Sequence, residues 1–246
     1  MKKAIEVENL TVFYREMLAL DQISVSVNSG RITGIIGPNG SGKSTFLKGI
    51  LGITPIKEGQ VSFFGSSFEK FRSKIAYVPQ RESIDWDFPI TVEEVVEMGR
   101  ITPKKWWART TSADKEIVKE TLRKVQLAEF STRQIGQLSG GQQQRVFLAR
   151  ALAQEAELII MDEPFVGIDM ASQEAILTIV RKLRDAGKTI VIVHHDLSVV
   201  AQYFDDVILL NKKLIASGSK EDVLQPENIE QAYGMTFLLN KKEHRS

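Results

Sequence analysis

Apolar and polar positions alternate through the first thirty residues. Ile5, Val7 and Val12, then Ile23, Val25 and Val27, carry the apolar side chains, with polar residues between them. A period of two points one face of a strand inward and the other outward, so residues 1–30 predict strands with one buried face. Asn28-Ser29-Gly30 reads as a turn. Arg31-Ile32-Thr33-Gly34-Ile35-Ile36 then predicts a short buried strand that runs into a glycine-rich loop. A helix is expected from Thr45 to Leu51, with Gly52 as its C-cap ahead of Pro55.

Short strands are expected again at 59–65 and 74–78. From about 91 to 155 the period changes to that of a helix. Val92, Val95 and Val96 recur at spacings of three and four, as do Ile117, Val118, Leu122 and Val125. This stretch predicts a helical insertion. Strand patterning returns at 158–161, 189–193 and 207–210, with helical patterns at 171–185 and 197–203. Buried strands alternating with helices imply a parallel sheet covered on both faces. No internal repeat or low-complexity stretch is visible. The last residues, 241–246, form a polar tail, and His244 within it reads as a solvated side chain.

Length and composition narrow the class. A chain of 246 residues suits one large α/β domain, or one domain with a subdomain. A net charge of +1 supplies no strong field toward nucleic acid or anionic lipid, so no nucleic-acid partner is expected. The chain has no cysteine, which excludes disulfides and thiolate metal sites. Its three histidines, His194, His195 and His244, lack the spacing of a metal cage, so any cargo metal is expected on another chain. The N-terminus does not read as a signal peptide, and no apolar run approaches the roughly 18 residues needed to span a bilayer. The expected compartment is the cytoplasm, with any membrane role supplied through a spanning partner.

Gly37-Pro38-Asn39-Gly40-Ser41-Gly42-Lys43-Ser44 fits the phosphate-loop pattern G-x-x-x-x-G-K-[ST]. Glycines let backbone N–H groups turn inward around phosphate oxygens, and the following helix presents its positive end to the same anion. Lys43 adds a cation for the terminal phosphates, and Ser44 offers a hydroxyl to Mg²⁺. Leu158-Ile159-Ile160-Met161 ends in Asp162 and Glu163. Alone, that run could be a buried strand ending in a solvated acidic turn. Beside a phosphate loop, Asp162 is expected near Mg²⁺ and Glu163 beside the attacking water. Leu138-Ser139-Gly140-Gly141-Gln142 precedes a long helical pattern. In isolation it would be a helix N-cap followed by a flexible turn. As a second anion-binding helix start it makes sense if it serves nucleotide held by another copy of the chain.

With these residues in order, the chain resembles the ATP-binding cassette (ABC) family over essentially its whole length. The ordered features are Tyr14, the phosphate loop, Gln80 in Tyr77-Val78-Pro79-Gln80, the LSGGQ sequence at 138–142, the Asp162-Glu163 strand end, Asp169, and a histidine. The resemblance implies a P-loop NTPase (RecA-like) core with a parallel sheet, an N-terminal antiparallel β portion and a helical subdomain at about 91–155. It implies a single domain over 1–240. It implies that Tyr14 stacks on adenine and that Gly37 to Thr45 hold the phosphates of ATP. Ser44, Gln80 and Asp162 would hold Mg²⁺, Glu163 would act as the base, and His195 would contact the γ-phosphate. His195 rather than His194 takes that role because the family places histidine directly before aspartate, here Asp196. Ser139, Gly140, Gly141, Gln142 and Asp169 would serve nucleotide across a homodimer. Val166-Gly167-Ile168-Asp169 departs from the frequent S-A-L-D form while retaining its aspartate.

The stretch Arg81 to Pro89, with Met98-Gly99-Arg100, is similar to ATPases of manganese, zinc and iron import systems, and most similar to the manganese type. The implied function is the ATP-hydrolysing subunit of an importer for a divalent transition metal, first of all manganese, with zinc or chelated iron as the alternative. The implied partners are an integral-membrane permease, a second copy of the chain and, through the permease, a solute-binding protein. The implied location is peripheral, on the cytoplasmic face of the cell membrane. Trp86, Phe88, Trp106 and Trp107 could anchor the permease or could pack the helical insertion. A soluble non-transport ABC ATPase is the alternative of another class. The stretch from Gln80 to Leu138 is too short for the long coiled coil of repair and chromosome members.

Overall fold

The structure is a computed structural model that describes residues 2–101 and 110–234. In chain order its strands are β1 (Lys3–Tyr14), β2 (Met17–Asn28), β3 (Ile32–Ile36), β4 (Glu58–Phe63), β5 (Ile75–Val78), β6 (Leu158–Asp162), β7 (Thr189–Val193), β8 (Asp206–Asn211) and β9 (Lys213–Ser219). Its helices are α1 (Lys43–Ile50), α2 (Phe68–Phe71), α3 (Val92–Glu97), α4 (Ser112–Lys124), α5 (Gly140–Ala153), α6 (Met170–Asp185), α7 (Leu197–Tyr203), α8 (Lys220–Val223) and α9 (Pro226–Tyr233). The chain divides into two compact units, residues 1–71 with 191–246 and residues 72–190.

The first unit carries the N-terminal antiparallel sheet, in the order β2-β1-β4. Its register pairs Val7 with Val25 and with Val61. All six alternating apolar residues of the first thirty are buried. Beside this sheet, β3 pairs in parallel with β8, matching Gly34 to Val207 and Ile36 to Leu209, and β8 turns back antiparallel into β9. Gly34 has a steric reason. A Cβ there would lie 2.2 Å from the ring of Phe204, a fully buried side chain.

In the second unit β5 pairs in parallel with β6, Ile75 with Leu158 and Val78 with Met161. The expected helical insertion resolves into α3, α4 and α5 around one apolar cluster. That cluster contains Val92, Val95, Val96, Val118, Leu122 and Val125 together with Ile135, Leu138 and Val146. Each of the three helices opens with a capping box in which side chain and backbone exchange hydrogen bonds: Thr91 with Glu94, Thr111 with Asp114 and Ser139 with Gln142. Arg100 ties the ends together. Its Nε meets Asp114 at 2.9 Å, and its Nη1 donates to the carbonyl of Ala153 and meets Glu155.

The structure differs from expectation in detail. Helix α1 starts at Lys43, two residues early, because Gly42 turns the chain directly into it. Gly52 follows with φ of 67°, as its expected place at the helix end requires. Strand β9 and helices α8 and α9 lie beyond the predicted elements, although Ile229, Ala232 and Tyr233 in α9 recur at spacings of three and four. No helix among the described residues is long and apolar enough to cross a membrane.

The Asp114 carboxylate accepts from the Thr111 hydroxyl and backbone N–H and from Arg100, and these bonds hold it down to about 2. A carboxyl depressed in the folded state stabilises fully above its ordinary value of 3.8 and loses that contribution as pH falls through about 2. Asp114→Asn is therefore expected to destabilise the chain by about 1 kcal/mol near neutrality. In urea titrations over a pH series, its deficit against the parent protein should shrink as pH falls from 3.8 toward about 2. A deficit that does not change with pH would refute this account.

Candidate functional site

The phosphate loop in the first unit is held by backbone-to-backbone approach. Gly37 has φ of 151°, and a Cβ on it would lie 2.0 Å from the carbonyl oxygen of Leu210. Gly42 has φ of 95°, and its Cβ would lie 2.6 Å from the side chain of Leu20 and 3.0 Å from the carbonyl of Ala19. Between them the N–H of Ser41 donates to the Pro38 carbonyl at 3.2 Å, and the carbonyl of Ser41 accepts from the N–H of Lys212 at 2.8 Å. The Ser41 hydroxyl is buried and has no hydrogen-bond partner among the described residues. Gly42 supplies no side-chain cap to α1. The start of that helix presents its positive end to the loop.

Lys43, the first residue of α1, is only 5% exposed. Its Nζ donates to the carbonyls of Gly37 at 2.9 Å and Pro38 at 3.0 Å, which centres the ammonium in the loop. Ser44 and Thr45 follow in the first helical turn. The hydroxyl of Tyr14 is hydrogen-bonded by Thr45, which lowers its pKa, so its exposed ring lies beside the same turn.

The two histidines after β7 separate by burial. His194 is 3% exposed, 5.2 Å from the ring of His195 and 6.5 Å from that of Phe204. Burial, then the neighbouring His195, pushes it down to about 4, so it is neutral at physiological pH. His195 is exposed. A dry, neutral His194 is a packing residue, and His195 is the one of the pair open to a ligand.

In the second unit β6 is buried along its length and ends at Asp162, 2% exposed. The Tyr77 hydroxyl bonds to that carboxylate. Burial, then the charge of Asp162, pushes Tyr77 up to about 12. Glu163, the next residue, is half-buried and has φ of 48°. A glutamate in the left-handed region costs about 1–3 kcal/mol, a strain that accumulates at functional sites. Since β5 and β6 are parallel neighbours, Gln80, just past Val78, and Asp162, just past Met161, leave the same end of the sheet. The carbonyl of Gln80 accepts from the N–H and hydroxyl of Ser83, which turns the chain there.

Ser139 caps α5. Its hydroxyl accepts from the N–H of Gln142 at 3.3 Å, and the Gln142 side chain accepts from the N–H of Ser139 at 2.9 Å. Ser139 is exposed, so this helix start faces outward. A Cβ on Gly141 would lie 2.1 Å from the hydroxyl of Ser172, so α5 and the start of α6 touch where only glycine fits. Asp169 caps α6, accepting from the N–H of Ser172 at 2.9 Å and its hydroxyl at 2.7 Å, and these bonds hold its carboxyl below the usual range.

Pattern reading did not single out Tyr77 or Gln143 and left Arg81 without a role. The first bonds Asp162, and the other two bond each other. Trp86 is absorbed by packing: its Nε1 donates to the Arg81 carbonyl at 3.0 Å and its ring meets Phe147 edge-on at 5.6 Å. Phe88 stays 58% exposed. It borders a groove of about 360 Å³ lined also by Ile90, Met98 and Ile101 and by the carboxylates of Glu94 and Glu97. Trp106 and Trp107 lie outside the described residues.

The family description "ABC transporter" matches residues 20–166. The chain is 51% identical over 244 residues to the manganese transport system ATP-binding protein MntB of Halalkalibacterium halodurans, covering 99% of this chain and 97% of that one. It is 48% identical over 231 residues to the zinc transport system ATP-binding protein TroB of Treponema pallidum, covering 94% and 87% respectively. Among solved structures, the fold superposes with a TM-score of 0.82 and 32% identity on an ATP-binding cassette of an ABC transporter in its ADP conformation, across 94% of this chain and 98% of the other. With the phosphate loop, the outward-facing LSGGQ helix start and this full-length likeness in hand, the chain belongs to the ABC transporter family.

Proposed function

We propose that this chain is the ATP-hydrolysing motor of an importer for a divalent transition metal, manganese first. The observation that carries the proposal is the 51% identity over 99% of this chain with the manganese relative. Zinc, the cargo in the name of the second relative, is the nearest alternative. Two such motors act with a membrane permease, on the cytoplasmic face, and a solute-binding protein delivers the metal to that permease.

The loop Gly37 to Thr45 holds the phosphates through N–H groups and Lys43, and Tyr14 offers its ring to adenine. Asn39, exposed beside Gly40 at the loop tip, serves nucleotide with them. The hydroxyl of Ser44, the amide oxygen of Gln80 and the buried carboxylate of Asp162 are hard oxygen donors, the set that Mg²⁺ prefers. Mg²⁺, when bound, neutralises phosphate charge. Glu163 takes a proton from water as its oxygen bonds to the γ-phosphorus. The bond from that phosphorus to the bridging oxygen breaks, and ADP departs with the electron pair. His195 contacts the γ-phosphate. Ser139 to Gln142 and Asp169 serve the nucleotide of the second copy, head to tail, so that ATP closes the pair and hydrolysis opens it. The Phe88 groove supports a permease contact: exposed Phe88, Met98 and Ile101 with two carboxylates suit an amphipathic segment carrying basic residues.

Three outcomes are expected. Lys43→Ala should weaken ATP binding about ten- to a hundredfold in equilibrium titration, the loss of a charge-assisted bond. Glu163→Gln should retain ATP binding, lose about 10²–10⁴ of turnover and trap the closed dimer, visible by size-exclusion chromatography with ATP. Normal hydrolysis by Glu163→Gln would overturn the base assignment. Deleting the chain should abolish high-affinity uptake of radioactive manganese. If zinc or chelated-iron uptake fails instead, the cargo assignment passes to that metal. If no metal uptake changes, the transport reading falls.

A further inference from the structure

Arg81 stands at a junction that neither the phosphate loop nor the catalytic carboxylates explain. Its Nε and Nη2 both donate to the Oε1 of Gln143, at 3.1 and 3.0 Å. Gln143 lies in the first turn of α5 and is only 3% exposed. Its other amide atom, Nε2, donates to the carbonyl of Ile135 at 3.1 Å. Both ends of that amide are therefore committed, and its orientation fixes the distance between α5 and the backbone leading into Leu138 and Ser139. The guanidinium also reaches the loops on either side. A Cβ on Gly140 would lie 3.4 Å from its Cζ, and one on Gly167 would lie 3.5 Å from its Nη1. From below, Cζ sits 5.7 Å from the centre of the Trp86 ring, whose Nε1 bonds back to the Arg81 carbonyl.

Among the described residues no carboxylate forms an ion pair with Arg81. A full positive charge beside a helix N-terminus is unfavourable, since both repel cations. An anion brought to Ser139 and Gly140 would relieve both at once.

We propose that Arg81 is a positioning residue. It clamps Gln143 so that Ser139 to Gln142 are presented in the geometry that receives the second copy's ATP. It also ties that geometry to the segment 81–90, whose last three residues, Phe88, Pro89 and Ile90, border the groove. This inference rests on the proposed shared ATP site. Arg81 itself touches no reacting atom. Its neighbours are the loop glycines and Gln143, so it acts on closure of the dimer and leaves ATP capture by each monomer alone.

The test uses the purified full-length chain. ATPase kcat and KM, monomer affinity for a fluorescent ATP analogue and melting temperature are measured for Arg81→Ala, Arg81→Gln, Arg81→Lys, Gln143→Ala and the Arg81→Ala/Gln143→Ala pair. Arg81→Ala and Arg81→Gln are expected to lower kcat about tenfold with monomer affinity unchanged, and the double variant should be no worse than either single one. Arg81→Lys should fail to restore the rate, because a point charge cannot replace the two-pronged guanidinium. Additive losses, a normal kcat, or a fall in monomer affinity and melting temperature in step with kcat would each overturn the proposal. Ser139→Ala is the control. If it lowers kcat and the Arg81 variants do not, Arg81 has no such role. If Ser139→Ala is itself without effect, the shared-site reading has failed first.

Discussion

A loop whose N–H groups are to face an anion can use few of them to hold itself, here Ser41 to the Pro38 carbonyl, so it must be held mainly from outside. That constraint governs the first unit. Gly37 lies against the Leu210 carbonyl at the end of β8, Gly42 against β2 at Ala19 and Leu20, and the Ser41 carbonyl takes the N–H of Lys212. Two separate strands thus grip the loop on its outer side and leave the inner side polar. The grip needs β8 and β2 in fixed register, and the buried packing of Gly34 against Phe204 secures β3 beneath the loop. Lys43 completes the arrangement by donating to two loop carbonyls, those of Gly37 and Pro38.

The second unit holds a helix start from within instead, the N–H groups of Ser139 and Gln142 being bonded inside the capping box. The N–H groups at Ser139 to Gln142 are kept in place by a capping box and by a glycine contact to Ser172, both of which leave the outward surface clear. Asp169 caps the adjoining α6 through that same Ser172, so the two helix starts share one residue. A change at one is therefore felt at the other. The Arg81–Gln143 bond adds a third strut, from the segment that follows β5.

The parts of this architecture that show in the sequence are those with local signatures. Alternation placed β1 and β2, a three-four spacing placed the core of α3 and α4, and the glycine-lysine pattern placed the phosphate loop, because each rests on neighbours along the chain. The choice of His195 over His194 rests on a resemblance, and the structure adds that one ring is dry and the other open. The Arg81–Gln143 contact joins residues 62 apart and has no periodic trace. Strand β9 is half-exposed and short of strong apolar residues, so its pairing with β8 decides its state more than its own composition does.

Two adjacent carboxylates need different surroundings if they are to do different work. Asp162 closes a fully buried strand and accepts the hydroxyl of Tyr77, conditions that suit a fixed ligand for a cation. Had the strand continued, alternation would send Glu163 to the opposite face of the sheet. Instead its left-handed backbone breaks the strand at that residue. The strain is stored at the position proposed to meet water, where a side chain must be aimed and a strand's own geometry would aim it away. The local backbone, more than the identity of either acid, thus sets apart the two roles proposed for them, metal ligand and base.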